Sequence, residues 1–234
     1  MQEILARRHD EQEENHWLSV SDLMAGLMIV FLFISIALMR SAFIERDKIK
    51  QIAVAYQEKQ VAIYNALHHE FSQDLERWDA DIDDSTLTFT FKSPELLFQK
   101  GEIELNPAYK QLLNDFFPRY MTVLEPFHDG INEIRIEGHT SSDWGYKSTD
   151  QQAYFNNMAL SQGRTRSVLD YIYNLESSQP FRSWIKSHIA AVGLSSSKLV
   201  FDPQGGEDHV RSRRVSFRVI TNSDIQIKRI LEEG

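Results

Sequence analysis

From Leu23 to Met39 the chain carries no charge, and with Trp17–Ser21 in front the stretch WLSVSDLMAGLMIVFLFISIALM runs to about 23 residues. At ~1.5 Å per residue, a helix of that length crosses a hydrocarbon core of ~30 Å. Trp17 stands at one end, where an indole favours the interface, and Arg40 closes the other. The stretch is too long for a cleaved signal peptide, contains Asp22, and ends in Met39-Arg40-Ser41-Ala42 without a good small-residue cleavage site. It predicts a single transmembrane helix over 17–39.

One ionisable group lies inside the span. A carboxylate at the centre of a membrane helix costs ~2.5–3.5 kcal/mol on insertion scales, so Asp22 has to face protein or water. Two readings stand. Asp22 is close enough to the interface to stay hydrated, or it carries an ion between helices. Ser19 and Ser21, small and polar, and Ala25-Gly26, which permits close helix approach, favour the second. A lone acid is not a pathway, so a partner must supply the other wall.

The composition of the 234-residue chain fits a small anchored protein with one soluble domain: 42% hydrophobic and 25% charged. A net charge of −9 argues against a nucleic-acid surface. The absence of Cys removes disulfides and thiolate zinc sites. Arg7 and Arg8 precede the span among acids, whereas Arg40, Arg46, Lys48 and Lys50 follow it. The positive-inside rule alone would therefore put the C-terminal side in the cytoplasm.

Residues 1–16 read as a polar, acidic tail and 40–84 as a helical linker. From Ser41 to about Ala80 there is no Gly or Pro. Ile49, Ile52, Tyr56, Ile63, Leu67, Phe71, Leu75 and Trp78 form a heptad-like seam, suited to a parallel pair of chains or to packing against the chain's own domain. His68-His69 reads as a solvated pair, and Asp81, Asp83 and Asp84 as a solvated turn lacking the Gly and distal Glu of a calcium loop.

The globular part, 85–234, opens on a strand at 86–91 and a turn at 97–101. Asn106-Pro107 starts a helix reaching about Val123 that Pro118 is expected to kink or shorten. Strands at 133–137, 185–192 and 214–220, a helix over 151–174 and a long loop at 195–208 complete the pattern. Strands alternating with helices predict a two-layer α/β sandwich, making the whole an α+β protein.

Two resemblances follow from these residues. Trp17, Asp22-Leu23-Met24 and the run Leu27–Leu32 resemble the transmembrane signature of MotB-type stator subunits. ExbD and TolR share only the acid on a single helix. The resemblance implies that Asp22 is the proton-binding residue of an ion-driven machine surrounded by a multi-span partner subunit. Gly138-His139-Thr140, then Asn157, Leu160, Ser161 and Arg164, then Arg213-Arg214-Val215, resemble the three ordered motifs of the OmpA-like peptidoglycan-binding domain over Leu97–Thr221. Ser141 stands where that family has a loop Asp, Thr165 replaces an Ala, and Ser216 replaces a Glu.

The OmpA resemblance implies a ligand, the diaminopimelate of a peptidoglycan stem, with an ammonium and a carboxylate on one carbon. Asp143, two residues past the usual position, is expected to pair the ammonium, and Arg164 to grip the carboxylate bidentately. Thr140, Asn157 and Ser161 are the polar residues of the motif, Leu160 a pocket wall and Arg213 a further contact. Other readings stand beside these: Leu160 in the core, Arg213 and Arg214 as strand dressing, Asn157 as a loop-to-helix residue. His139 has no accompanying nucleophile, so no enzyme is expected.

Trp17–Met24 taken together with Ile136–Gly145 most resembles the ZorB family of Zorya anti-phage defence systems. That resemblance implies a ZorA-type multi-span partner, a homodimer within a hetero-oligomer, and protons as the driving ion. It implies no cofactor and no direct contact with nucleic acid. It places the protein in the bacterial inner membrane, N-terminus cytoplasmic and C-terminal domain periplasmic, against the positive-inside count. A flagellar MotB-type stator and a passive wall anchor are the alternatives.

Overall fold

The computed structural model describes residues 2–92, 97–145 and 147–222. They divide into two compact units, 1–53 and 54–234. Helix α1 spans Gln2–Phe71. Its apolar stretch has the length and composition to cross a membrane, and the side chains described there, from Leu23 and Met28 to Phe33 and Met39, are exposed. The side chains of Ser19 and Tyr56 lie outside the described residues.

The second unit contains the end of α1, strands β1 (Ala80–Asp83), β2 (Thr88–Phe91), β3 (Ile131–His139), β4 (Ile189–Gly193) and β5 (Arg214–Thr221), and helices α2 (Pro107–Leu124), α3 (Asp150–Asn174), α4 (Arg182–His188) and α5 (His209–Ser212). The sheet order is β1-β2-β5-β3-β4, with β3 and β4 parallel and the other pairs antiparallel. A parallel pair needs a crossover, and α3 with α4 provides it. The result is a mixed sheet with a helical layer, within the α+β class expected.

Alternation along the strands decides which face is buried. Phe89 and Phe91 on β2, Ile134 and Ile136 on β3, and Val215, Phe217 and Val219 on β5 point into the core. Phe116, Phe117, Tyr120 and Met121 of α2 meet them. Phe116 is the hub, its ring 4.7 Å from Phe89 and 5.1 Å from both Phe91 and Phe217. Pro118 lies inside α2, which continues through it to Leu124. The neighbouring aromatic side chains are fully buried, and that packing outweighs the backbone hydrogen bond Pro118 cannot make.

Several boundaries differ from the sequence reading. Ile63, Leu67, Phe71 and Trp78 join this core, so the lower part of the seam packs on the chain's own domain, while Ile49 is exposed. The helix stops at Phe71, and residues 80–83, expected in a linker and a solvated turn, form the edge strand β1, with Ala80 and Ile82 inward and the two acids outward. Asp83 then caps the next turn, accepting from the Ser85 and Thr86 hydroxyls and the Thr86 amide. The expected strand at 185–192 is the end of the helix α4, which buries Trp184 and Ile185, followed by β4.

Candidate functional site

Two glycines bring α3 close to the sheet. A Cβ on Gly138 would lie 2.8 Å from Thr165 Cγ2 and 2.9 Å from the Ser161 carbonyl oxygen, and one on Gly193 only 2.4 Å from the Gln162 amide nitrogen. With α3 this near, the loop leaving β3 lies against the start of the helix. A capping box fixes that start: the Thr149 hydroxyl accepts the Gln152 amide, and the Gln152 side chain accepts the Thr149 amide.

The carboxyl end of β3, the face of α3, the turn at 98–101 and the residue before β5 enclose a cavity of about 640 Å³. Thr140, Asp143, Asn157, Leu160, Arg164 and Arg213 all line it. Asn157, Leu160 and Arg164 recur at three- and four-residue steps, so one helical face presents them together. Ser161 is not in the lining. It is fully buried, its Oγ donating to the Met158 carbonyl at 3.0 Å and accepting the Ser195 amide at 3.1 Å, which ties α3 to the chain leaving β4.

The polar groups divide between building the cavity and facing it. Asn157 Nδ2 donates to the carbonyls of Ser141 and Asp143, each at 3.1 Å, and thereby shapes the 141–143 loop. Arg164 is 8% exposed; it donates through Nε to the Glu102 carbonyl at 2.9 Å and through a terminal nitrogen to the Gln99 carbonyl at 3.2 Å, with its guanidinium 4.8 Å over the Phe98 ring. These bonds leave guanidinium donors for the cavity. Burial, and then the charge of Arg213, push the Arg164 pKa down to about 10, so it remains a cation at neutral pH. Thr140 is 3% exposed, and its Oγ1 has no protein partner among the described residues. Leu160 is half-buried and outside the core cluster.

Arg213 and Arg214 part company. Arg213 lines the cavity, whereas Arg214 donates to the carbonyls of Ser212 and Lys198, both at 3.1 Å. Lys100 adds a third lining cation to Arg164 and Arg213, set against Asp143. The cavity thus offers a cationic wall, one carboxylate and a bare hydroxyl, a pattern that fits a zwitterion or an anion. His139 lies on the sheet outside the lining, its Nε2 3.7 Å from Glu137.

Sequence reasoning missed Phe98, Lys100 and Trp144 in the lining, and behind them Glu207 and His209. Glu207 accepts from the Ser142 amide at 3.0 Å and from the Ser142 hydroxyl. His209 Nδ1 lies 3.2 Å from Asp143 Oδ2 and 3.4 Å from Glu207 Oε1. Nothing local marks these two, since Glu207 reaches Ser142 from 65 residues away and His209 comes to Asp143 from just beyond it.

Asp22 is on α1, in the first unit, exposed and one turn from Gly26 on the same helical face. A Cβ on Gly26 would meet nothing within 4 Å.

Residues 97–213 match the OmpA family, so the domain holding this cavity belongs to that family. The chain as a whole is 54% identical over 223 residues to the Zorya protein ZorB of Escherichia coli, covering 95% of each, and it belongs to the ZorB family. It also aligns with a MotB-like protein from Desulfovibrio vulgaris (20% identity, 70% of this chain and 94% of that one, TM-score 0.47). A further alignment is with the cell wall anchor of the type VI secretion system (T6SS) from Pseudomonas aeruginosa (18% identity, 67% and 97%, TM-score 0.45).

Proposed function

We propose that this ZorB-family chain is a stator-type subunit of an inner-membrane motor driven by the proton-motive force, working in Zorya anti-phage defence with a ZorA-type multi-span partner. The helix at 17–39 spans the inner membrane with the N-terminus cytoplasmic, and the domain grips peptidoglycan from the periplasm. Two copies stand side by side within the larger assembly. Proton passage charges and discharges Asp22, the partner moves around the fixed pair, and the wall takes the reaction force. One charge crossing 100 mV releases ~2.3 kcal/mol, so several protons per stroke are required for substantial work.

The observation that carries the reading is the cavity. Arg164 is held by its own carbonyl bonds with donors to spare, Thr140 presents a buried unpartnered hydroxyl, and Asp143 supplies a carboxylate. A diaminopimelate end needs a cation for its carboxylate, an anion for its ammonium and a short polar group between them. The cavity is a clamp and performs no bond chemistry. In the proposed orientation it faces the side of the membrane where peptidoglycan lies.

Co-sedimentation of the full-length protein, in detergent, with purified sacculi tests the clamp. The protein pellets with the wall, and R164M with T140V reduces the bound fraction at least ~10-fold, since a bidentate charged contact and a buried hydroxyl are both lost. Undiminished binding of the double variant contradicts the assignment.

A further inference from the structure

The segment after Val200 is a built structure. Asp208 donates its amide to the Val200 carbonyl at 2.8 Å, Val200 donates its own to Ser212 Oγ at 2.9 Å, and Asp202 Oδ1 accepts the Gly206 amide at 2.8 Å. Phe201 and Glu207 form a bridge. This scaffold carries two side chains to the outside of the 141–143 loop. Glu207, its side chain 11% exposed, accepts both donors of Ser142. His209 reaches between the Glu207 and Asp143 carboxylates.

Resting on the wall-site reading above, we propose that this segment controls the cavity's acid: Glu207 is the positioning residue that holds the 141–143 loop in its binding shape, and His209 is an internal cation that competes with the ligand's ammonium for Asp143. The chemistry is that of a displaceable counter-ion. A protonated imidazole satisfies the Asp143 carboxylate, and an incoming ammonium has to replace it; a neutral imidazole offers no charge to replace.

Within ion-pair reach of His209, among the described residues, are the carboxylates of Asp143 and Glu207. The neighbouring Asp208 carboxylate is engaged with the amides of Val210 and Arg211. The cations Lys100, Arg164 and Arg213 line the cavity that Asp143 also lines. They favour the ligand's carboxylate, and among the described residues the ion pair formed by Asp143 is with His209. Because the Asp143 side chain is 74% exposed, the competition has the strength of a surface ion pair, a factor of about two to five in affinity.

The test is calorimetry on the full-length protein in detergent, titrated with a synthetic stem peptide ending in meso-diaminopimelate at about pH 5.5 and about pH 7.5, which bracket imidazole titration. The wild type binds about two- to fivefold tighter at the higher pH. H209Q binds at both pH values with the tighter affinity, and H209K, a cation throughout, with the weaker one. E207A loses about tenfold in affinity with an unchanged thermal midpoint, and E207Q, which still accepts the Ser142 amide, recovers most of it. H209Q retaining the wild-type pH dependence, or E207A binding like the wild type, overturns the proposal and leaves the wall site standing. A wild type that binds the peptide at neither pH overturns the wall-site reading and this proposal with it.

Discussion

The guanidinium of Arg119 on α2 lies 4.7 Å over the ring of Phe71, the last residue of α1. Its Nε donates to the Glu70 carboxylate at 2.6 Å, a terminal nitrogen donates to the Glu70 carbonyl at 2.9 Å, and another sits 2.9 Å from Asp74. The end of α1 is thereby bonded as well as packed onto the domain.

Arg119→Met keeps the stem but removes the charged hydrogen bonds, leaving Glu70 and Asp74 without a partner they share. We expect a loss of about 1–3 kcal/mol in domain stability. Faster amide exchange at residues 63–71 than at β3 would locate the loss at the joint. An unchanged unfolding midpoint would contradict it.

The close approach at Gly138 predicts a paired effect. Gly138→Ala forces its Cβ against Thr165 Cγ2 and the Ser161 carbonyl and costs about 1–3 kcal/mol. Thr165→Ala restores part of it, since one of the two obstructions is a side chain and the other is backbone. A double-mutant cycle on urea unfolding reads the coupling directly, and strict additivity would contradict the geometry.

Stability falls on acidification through Glu137 and His139. Burial holds His139 below its ordinary 6.5 even though Glu137, 3.7 Å away, pulls the other way. For Glu137, burial alone would raise the carboxyl, but the neighbouring His139 imidazole, when charged, with Arg218 and Arg135, holds it below its ordinary 4.5. In both cases the unfolded chain takes up a proton that the folded chain resists. The contribution is fully present above about 6.5 for His139 and above about 4.5 for Glu137, and is lost as pH falls through the lower, folded values. His139→Gln flattens the upper step, as read by urea midpoints between about pH 5 and 8. A stability that rises as pH drops through that range would contradict the assignment.

The parts of the cavity that were legible in the sequence are those set by local spacing. Asn157, Leu160 and Arg164 share one helical face whatever the rest of the chain does, and the turn at 97–101 is marked by Gly101, whose φ in the structure is 80°. Ser161, in the same stretch, faces the sheet, and only the approach of α3 at Gly193 makes that visible. The edge strand β1 was hidden because four residues with two outward acids give too short an alternation to read. Pro118 was expected to disturb a helix that the buried aromatic face keeps whole. Glu207 and His209 depend on a contact between distant loops, which periodicity does not encode.

Under the proposed function, Asp22 carries protons for a wall-anchored defence motor. The direct measurement is survival of phage challenge by cells carrying the intact operon or its Asp22→Asn version, with membrane levels of the protein matched. Asparagine nearly preserves the shape of the side chain and removes its titratable group. Protection is expected to be lost at equal abundance and undisturbed assembly. Protection retained by the Asp22→Asn operon would contradict it and leave a passive anchor.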